Sequence, residues 1–168
     1  MVTSTRAVLF DLDDTLVDTR ELAQLRESRQ WKQAVRQVAV TRLFAGIQAT
    51  LAELDCRAIR WGVVTTSVSY YANAVLAHHG LDPAVVVAFH DATPKPSPAS
   101  VTLALTRLSV RAECAIGIGD SEKDLSAYRS AGMLAVGAAW SATLAPVAWD
   151  VRIGTPSELL ALLNARSP

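Results

Sequence analysis

The feature that most constrains the fold is a series of short apolar runs separated by stretches with helical spacing. The runs are nearly continuous in apolar residues, which is typical of strands buried on both faces of a parallel sheet. Five runs are clear and a sixth is weaker: 7–12, 61–65, 85–89, 114–118, 134–138 and 151–153. Strands that alternate with helices predict an α/β fold, with a doubly wound (Rossmann-like) parallel sheet of five to six strands.

Capping residues mark where several of the intervening helices begin and end. Ser121 and Asp124 have the spacing of a capping box, and the helix that they open should end at Gly132. Ser97 is the predicted N-cap of another helix, with Pro98 at its first position. Apolar residues at helical spacing or a terminal glycine predict the remaining helices over 43–54, 69–79 and 157–163.

The length and composition favour one domain covering residues 1–168. With 168 residues, of which 51% are apolar, the chain can bury a sizeable core. The 16 basic and 16 acidic side chains give a formal net charge of zero, which argues against nucleic acid as a partner. Cys56 and Cys114 have no zinc or CxxC spacing, so we expect reduced thiols.

No stretch has the features of a targeting or membrane segment. Asp11 follows the first apolar residues too soon for a signal peptide. No apolar run approaches the roughly 20 residues that a membrane-spanning helix needs. We therefore expect a soluble, cytoplasmic protein without a membrane partner.

Polar side chains follow four of the five clear apolar runs. In a doubly wound sheet the carboxyl ends of the strands form one edge, and ligands bind outside that edge. A single carboxylate there would be unremarkable, but the predicted set combines acidic, hydroxyl and ammonium groups. Its members are Asp11, Asp13, Thr65, Thr66, Ser67, His90, Asp91, Lys95, Asp120 and Asp124.

These residue types suit phosphoryl transfer. Asp11 can attack phosphorus and form an aspartyl-phosphate, while Asp13 can protonate the leaving oxygen and then deprotonate the attacking water. Asp11 and Asp120 can share a Mg²⁺ ion, which prefers oxygen ligands and offsets the repulsion between carboxylates. Thr65 and Lys95 can hold the phosphoryl oxygens as negative charge builds in the transition state.

Four segments that contain these residues resemble the four motifs of the haloacid dehalogenase-like (HAD) hydrolase superfamily, in the same order. The segments are LFDLDDTLVDT, WGVVTTS, PKPSP and IGIGDSEKDL. The resemblance covers most of the chain, and the first motif combined with the GDxxxD spacing of the fourth is specific. It implies a HAD-like phosphatase, a phosphoric monoester hydrolase that uses Mg²⁺ and an aspartyl-phosphate intermediate.

The resemblance also implies roles for the acidic residues. Asp11 would be the nucleophile and Asp13 the acid/base. Asp11 and Asp120 would bind the metal through their carboxylates, and Asp13 through its backbone carbonyl. Asp124, one turn after Asp120, would bind the metal directly or through water, and it also suits a helix cap.

The phosphate-binding residues come from the second and third motifs. The resemblance assigns Thr65 as the phosphate-binding hydroxyl and Lys95 as the lysine of the third motif. Thr66 and Ser67 could add hydroxyl or backbone N–H contacts. The prolines on either side of Lys95 should fix the turn that orients its side chain.

An amphipathic segment at 19–42 interrupts the alternation of strands and helices, and it predicts a small helical cap insertion. Between positions 20 and 42 it carries six basic and two acidic side chains: Arg20, Arg26, Arg29, Lys32, Arg36, Arg42, Glu21 and Glu27. In the family that it resembles, a cap at this place covers the site, and full caps are usually much longer. A short cap implies an open site. Such a site could admit a small phosphorylated substrate or a phosphorylated macromolecule, or a homodimer partner could enclose it.

Several nearby residues have simpler interpretations. Asp14 and Asp18 are expected to be structural or solvated, and Tyr70 and Tyr71 to be helix-face residues. Trp31 is expected to pack within the insertion, in preference to stacking on a nucleobase or sugar. The basic face of the insertion is most simply a solvated helix face, and the alternative is that it steers an anionic substrate.

Other functions fit the sequence less well. A phosphomutase-like phosphoryl transferase needs a cap that turns the intermediate around, and 19–42 is short for that. A dehalogenase would not need Asp13, Asp120 and Mg²⁺ together. A response-regulator receiver has its acidic residues on different strands, and a non-catalytic HAD-like scaffold would not need all four motifs intact.

Overall fold

The computed structural model describes residues 5–166, so the ends of the predicted domain, 1–4 and 167–168, lie outside the described residues. The strands are β1 (Ala7–Phe10), β2 (Val17–Asp18), β3 (Arg42–Leu43), β4 (Arg60–Val64), β5 (Val85–Val87), β6 (Ala115–Gly119), β7 (Leu134–Ala138) and β8 (Val151–Ile153). The helices are α1 (Ala23–Glu27), α2 (Trp31–Arg36), α3 (Ile47–Cys56), α4 (Ser69–His78), α5 (Ala99–Leu108), α6 (Glu122–Ser130) and α7 (Glu158–Ala165). Short 3-10 turns cover Arg20–Leu22, Val38–Val40 and Ala112–Cys114.

Six strands form one parallel sheet in the order β5-β4-β1-β6-β7-β8, which confirms the predicted α/β doubly wound fold. Strand β1 is central, and its last residue Phe10 is in register with Val63 of β4 and Ile118 of β6. Because neighbouring parallel strands end at the same edge, the residues that follow β1, β4 and β6 converge there.

Core side chains cover both faces of this sheet. Val8 and Phe10 of β1 belong to one buried cluster, and Ala7 and Leu9 belong to a second cluster on the other face. All four are essentially inaccessible to solvent. This two-sided burial is the physical reason why the strands are continuous apolar runs in the sequence.

The predicted helix boundaries hold for α6 and are displaced by one residue for α5. Ser121 and Asp124 form the capping box that opens α6, and Gly132 follows its end with a φ of +83°. Helix α5 begins at Ala99, so Pro98 occupies the N-cap position and not the first helical position. Ser97 still contributes, because its Oγ accepts the N–H of Ala99 at 3.3 Å.

The segment between β2 and β3 contains α1, α2 and two of the 3-10 turns. Strands β2 and β3 pair antiparallel, with Val17 opposite Leu43 and Asp18 opposite Arg42, so the two ends of the segment are held side by side. The interior of the segment packs on the core through half-buried Trp31 and other apolar side chains. The segment therefore lies directly over the edge where β1 and β4 end.

None of the helices described between residues 5 and 166 has the length and hydropathy to cross a membrane.

Candidate active site

The three central strands deliver their next residues to one place. Asp11 follows β1, and its backbone N–H donates to the carbonyl of Ile118 in β6 at 2.9 Å. Thr65 follows β4, and Asp120 follows β6. All three side chains are buried, with exposed fractions of 8%, 2% and 7%. Residues more than 50 positions apart in the sequence thus share one small volume.

Lys95 connects two of the predicted carboxylates. Its Nζ donates to Oδ1 of Asp11 at 2.8 Å, to the carbonyl of Val64 at 2.7 Å, and to Oδ1 of Asp124. Burial alone would lower the pKa of Lys95, but the carboxylates of Asp11 and Asp124 outweigh that effect and raise its pKa. The buried lysine therefore remains a cation that is positioned by three acceptors.

Asp11, Asp120 and Asp124 form a compact acidic group, in which one carboxylate oxygen from each residue lies within 4.8 Å of the other two. Burial and the neighbouring Asp124 raise the pKa of Asp11. Burial raises the pKa of Asp120 to about 7, although a hydrogen bond from Thr143 opposes this shift. One lysine cannot balance three buried carboxylates, and their all-oxygen donor set suits Mg²⁺, so these residues fit the metal.

Loop residues hold Asp120 in place. Thr15 donates to its Oδ1 at 3.4 Å, and Thr143 donates to its Oδ2. The backbone N–H of Ala145 donates to the carbonyl of Asp120 at 2.6 Å. The contribution of Thr143 was missed by sequence reasoning, because a hydroxyl in the loop after β7 has no distinguishing pattern.

Asp13 lies outside the acidic group and is surrounded by donors. Its Oδ2 accepts from Ser67 Oγ at 2.7 Å, and its Oδ1 accepts from Thr19 Oγ1 at 2.8 Å and Tyr71 OH at 2.9 Å. Arg26 Nε lies 3.5 Å from the same Oδ1. Three of these groups donate hydrogen bonds and Arg26 adds an ion pair; they come from the insertion, from the loop after β4 and from α4, and together they orient one carboxylate.

Tyr71 and Arg26 both contact Asp13, which the sequence did not predict, and the expectation of a solvated face was wrong for Arg26. Tyr71 lies on the buried face of α4, and burial together with the Asp13 carboxylate raises its pKa, so the phenol stays protonated and donates. Arg26 is only 18% exposed at its side chain and is paired with Asp13 and Asp14, so it is not part of a solvated basic face.

Asp14 and Asp18 are both structural, as expected, but Asp14 is not solvated. Asp14 is buried, has a φ of +63°, and accepts from the Thr19 N–H and from Arg26 Nη2, both at 3.1 Å. Asp18 is half-buried and pairs with Arg20 at 2.7 Å. Asp14 thereby anchors the insertion to the loop that carries Asp13.

The two predicted phosphate-binding threonines have different environments. Thr65 is buried, and its Oγ1 accepts the backbone N–H of Ser67 at 3.0 Å, which shapes the turn after β4. Thr66 is exposed and faces a cavity. The structure therefore places Thr65 with Asp11 and Lys95 at the ends of the strands, and Thr66 at the entrance.

A cavity of about 650 Å³ adjoins this group of residues. The insertion forms one wall, and the turn after β4, the end of β5 and α6 form the others. Its lining residues are Arg26, Glu27, Arg29, Trp31, Thr66, Ser67, Val68, Tyr70, Phe89, His90 and Lys123. Arg26 and Ser67 also contact Asp13, so the cavity opens directly beside that carboxylate.

Comparison of the sequence with known proteins identifies relatives in one protein family. A sequence profile described as haloacid dehalogenase-like hydrolase matches residues 23–138. A phosphoglycolate phosphatase of Xanthomonas campestris is 30% identical over 208 aligned positions, which cover 92% of this chain and 94% of that protein. Because the alignment has more positions than the 168 residues of this chain, the relative contains residues that this chain lacks.

Solved structures share the fold. CbbY from Rhodobacter sphaeroides, in complex with phosphate, superposes with a TM-score of 0.80 at 23% identity, covering 95% of this chain and 99% of that chain. A putative phosphoglycolate phosphatase from Lactobacillus plantarum superposes with a TM-score of 0.79 at 20% identity, covering 95% and 100%. At these identities the superpositions establish the architecture alone.

Proposed function

The chain belongs to the haloacid dehalogenase-like hydrolase family and is a phosphatase, and from this premise we propose that it hydrolyses a phosphate monoester with Mg²⁺ through an aspartyl-phosphate intermediate. The observation that carries the proposal is the position of Lys95. Its buried ammonium joins Asp11 to Asp124 within a group of three carboxylates at the carboxyl edge of the sheet. This arrangement supplies a nucleophile, a cation for phosphoryl oxygens and a metal site in one volume.

In the first step, a carboxylate oxygen of Asp11 attacks phosphorus, and the bond from phosphorus to the substrate alcohol breaks. Asp13 donates a proton to the departing oxygen. In the second step, Asp13 takes a proton from water as the water attacks the aspartyl-phosphate, which releases inorganic phosphate and regenerates Asp11. The donors around Asp13 hold its carboxylate in one orientation beside the cavity.

The proposed metal ligands are the carboxylates of Asp11, Asp120 and Asp124 and the backbone carbonyl of Asp13. When bound, Mg²⁺ would neutralise negative charge on the carboxylates and on the phosphoryl group. Lys95 would supply a second positive charge, and Thr65 and Thr66 would hold phosphoryl oxygens by hydrogen bonding.

We also propose that residues 19–42 are a reduced cap on a single domain. The alignment with the Xanthomonas relative spans 208 positions, so that protein has room for a longer insertion than this chain. The ion pairs of Arg26 with Asp13 and Asp14 support the proposal, since they attach the segment directly over the site. A small phosphorylated substrate fits the adjoining cavity, and a homodimer partner is not needed to form the cavity wall.

The direct test is release of inorganic phosphate from a panel of phosphate esters by the purified protein, with Mg²⁺ and with excess EDTA. We expect turnover with Mg²⁺ and a loss of at least about 100-fold with EDTA, restored when Mg²⁺ is added in excess. A phosphomutase-like transferase would instead produce an isomeric phosphate ester with little free phosphate. Absence of both products across the panel would favour the non-catalytic scaffold.

Tyr71→Phe should lower kcat about tenfold with little change in KM, because it removes one of the donors that orient Asp13 while keeping the ring. A steady-state pH profile should also change its shape, since the environment of the acid/base is altered.

The matched control for Tyr71→Phe is Tyr128→Phe. Tyr128 is equally buried, but its hydroxyl donates to the backbone carbonyl of Ile118 at 3.2 Å. Both variants should lose about 1 kcal/mol of stability, and only the Tyr71 variant should lose turnover. Tyr128 also lies close enough to Lys95 to interact with its charge, so the pH profile decides: equal losses of kcat with an unchanged profile in both variants would mean that Tyr71 has only a structural role.

Arg29→Glu should raise KM for anionic substrates about three- to tenfold at low ionic strength, and the effect should shrink at high salt. Arg29 lines the cavity and has no ion-pair partner among residues 5–166. Lys32→Glu is the charge-matched control, because Lys32 is exposed and is not among the described residues that line the cavity. A KM that rises equally for both variants would point to a general effect of charge.

A further inference from the structure

The cavity has room for more than a very small leaving group. Its volume of about 650 Å³ falls within the range of about 300–1,000 Å³ that is typical of pockets for drug-sized ligands. A two-carbon alcohol such as glycolate has about five non-hydrogen atoms, and at roughly 30 Å³ for each water-sized atom it would leave most of this space to solvent. The cavity therefore has room for a bulkier alcohol, and its lining residues are what favour one.

Three aromatic side chains form part of the cavity wall: Trp31, Tyr70 and Phe89. Trp31 comes from the insertion, and its ring is fixed by the ring of Tyr71, with centroids 5.4 Å apart. Phe89 is half-buried and packs edge-on against His90, with centroids 4.9 Å apart. Neighbouring rings thus hold Trp31 and Phe89 in position. The third aromatic side chain, Tyr70, comes from the start of α4.

Tyr70 is the least buried of the three. Half of its surface is exposed, and it is one of two large hydrophobic residues that are exposed in the described part of the chain. Stacking against another planar group would bury the exposed apolar surface of such a ring and is energetically favourable. Because Tyr70 lines the cavity, a planar ring of the substrate could pack against its exposed face.

Two cations accompany these rings. Arg29 and Lys123 line the cavity, and neither has an ion-pair partner among residues 5–166. Arg26 is different, because it is already paired with Asp13 and Asp14. Glu27 also lines the cavity, so the two cations leave it with a net positive charge that favours an anionic molecule, and the aromatic side chains favour a ring within that molecule.

We propose that the substrate is a phosphate monoester whose alcohol carries a planar ring, and that this ring binds against Trp31, Tyr70 and Phe89. The proposal rests on the proposed phosphatase function, because it places the scissile phosphate at Asp11. A nucleoside and a free heteroaromatic alcohol both offer the required ring. Trp31 therefore has two roles, packing on Tyr71 and lining the ring site, where the sequence favoured packing alone.

The test compares substrates that differ by the ring. We expect kcat/KM for adenosine 5′-monophosphate to exceed that for ribose 5-phosphate by about tenfold or more, since stacking of a base on aromatic side chains is worth that much. Pyridoxal 5′-phosphate against glycerol phosphate tests a ring without a sugar. If kcat/KM differs by more than tenfold only in the first pair, the ring belongs to a nucleoside. If it differs by more than tenfold only in the second pair, the ring belongs to a free heteroaromatic alcohol.

Variants of the wall should reduce that ratio. Tyr70→Ala and Phe89→Leu should each lower it at least threefold, and neither residue contacts the carboxylates in the described structure. Val40→Ala is the matched control, because Val40 is the other exposed large hydrophobic residue and lies away from the cavity. The control should leave the ratio unchanged.

The outcomes separate this inference from the proposed function. Equal kcat/KM within both pairs, or a preference for 2-phosphoglycolate over all ring-bearing esters, would overturn the ring site while leaving the phosphatase intact. An unchanged ratio in both wall variants would also overturn it. If no ester of the panel releases phosphate with Mg²⁺, the proposed function itself fails.

Discussion

Asp11→Asn should reduce turnover by at least about 1,000-fold while the protein remains folded. The amide has nearly the same shape as the carboxylate but cannot form the aspartyl-phosphate, so the two-step route is closed. The fold should tolerate the change. Burial and the neighbouring Asp124 raise the pKa of Asp11, and removing its charge relieves both effects. Lys95 would keep Asp124 and the carbonyl of Val64 as acceptors.

Phosphate release measured at saturating substrate and Mg²⁺ tests this expectation, with Tm as the check on folding. Asp18→Asn is the matched control from the same motif. Asp18 is half-buried and pairs with Arg20 away from the acidic group, so this variant should keep near-normal turnover. If Asp11→Asn retained a tenth of the activity, the nucleophile would have to be a different residue.

Lys95→Met should have the largest effect on stability. Its side chain is only 3% exposed and balances the carboxylates of Asp11 and Asp124. Removing one partner of a buried ion pair leaves uncompensated charge and costs about 3–5 kcal/mol. For a chain of this size the metal-free protein should lose roughly 10 °C in Tm. The carbonyl of Val64 would also lose its donor.

Thermal unfolding in EDTA and in Mg²⁺ measures this effect. Added Mg²⁺ should raise the Tm of Lys95→Met more than that of the unsubstituted protein, because the variant has one cation fewer against the three carboxylates. Lys123→Met is the control, since Lys123 is exposed and lies next to Asp124 in the sequence. If Lys95→Met and Lys123→Met have the same Tm, Lys95 does not balance the buried carboxylates.

Much of the fold could be predicted because its signals are local. The inner strands β1, β6 and β7 are continuous apolar runs, since both faces of the sheet are buried there. The capping box at Ser121 and Asp124 acts over three residues, and Gly132 meets the requirement for a positive φ at the helix end. Such features depend on residues close together in the chain, so they can be identified without knowing the fold.

The convergence of Asp11, Thr65 and Asp120 could also be predicted, although they are distant in the chain. Parallel strands that are joined by helical crossovers bring their carboxyl ends to one edge of the sheet. Once the apolar runs predict such strands, the residues that follow them are expected to meet. The geometry of the structure agrees, and it adds Lys95 in direct contact with Asp11.

The surroundings of Asp13 and Asp120 had no comparable signal. Tyr71 and Tyr70 are adjacent tyrosines in one helix, and only the packing of α4 decides that Tyr71 is buried against Asp13 while Tyr70 faces the cavity. Thr143 reaches Asp120 because of the path of a loop.

The sequence alone therefore determined the class of fold, the edge of the sheet that holds the chemistry, and the acidic and basic groups present there. Only the tertiary structure decided which neighbours orient those groups and how the insertion meets them. Arg26 shows the difference, because its charge was evident but its pairing with Asp13 and Asp14 was not. The physical reason is range: strand periodicity and capping are local, whereas a side chain's partners depend on how distant elements pack together.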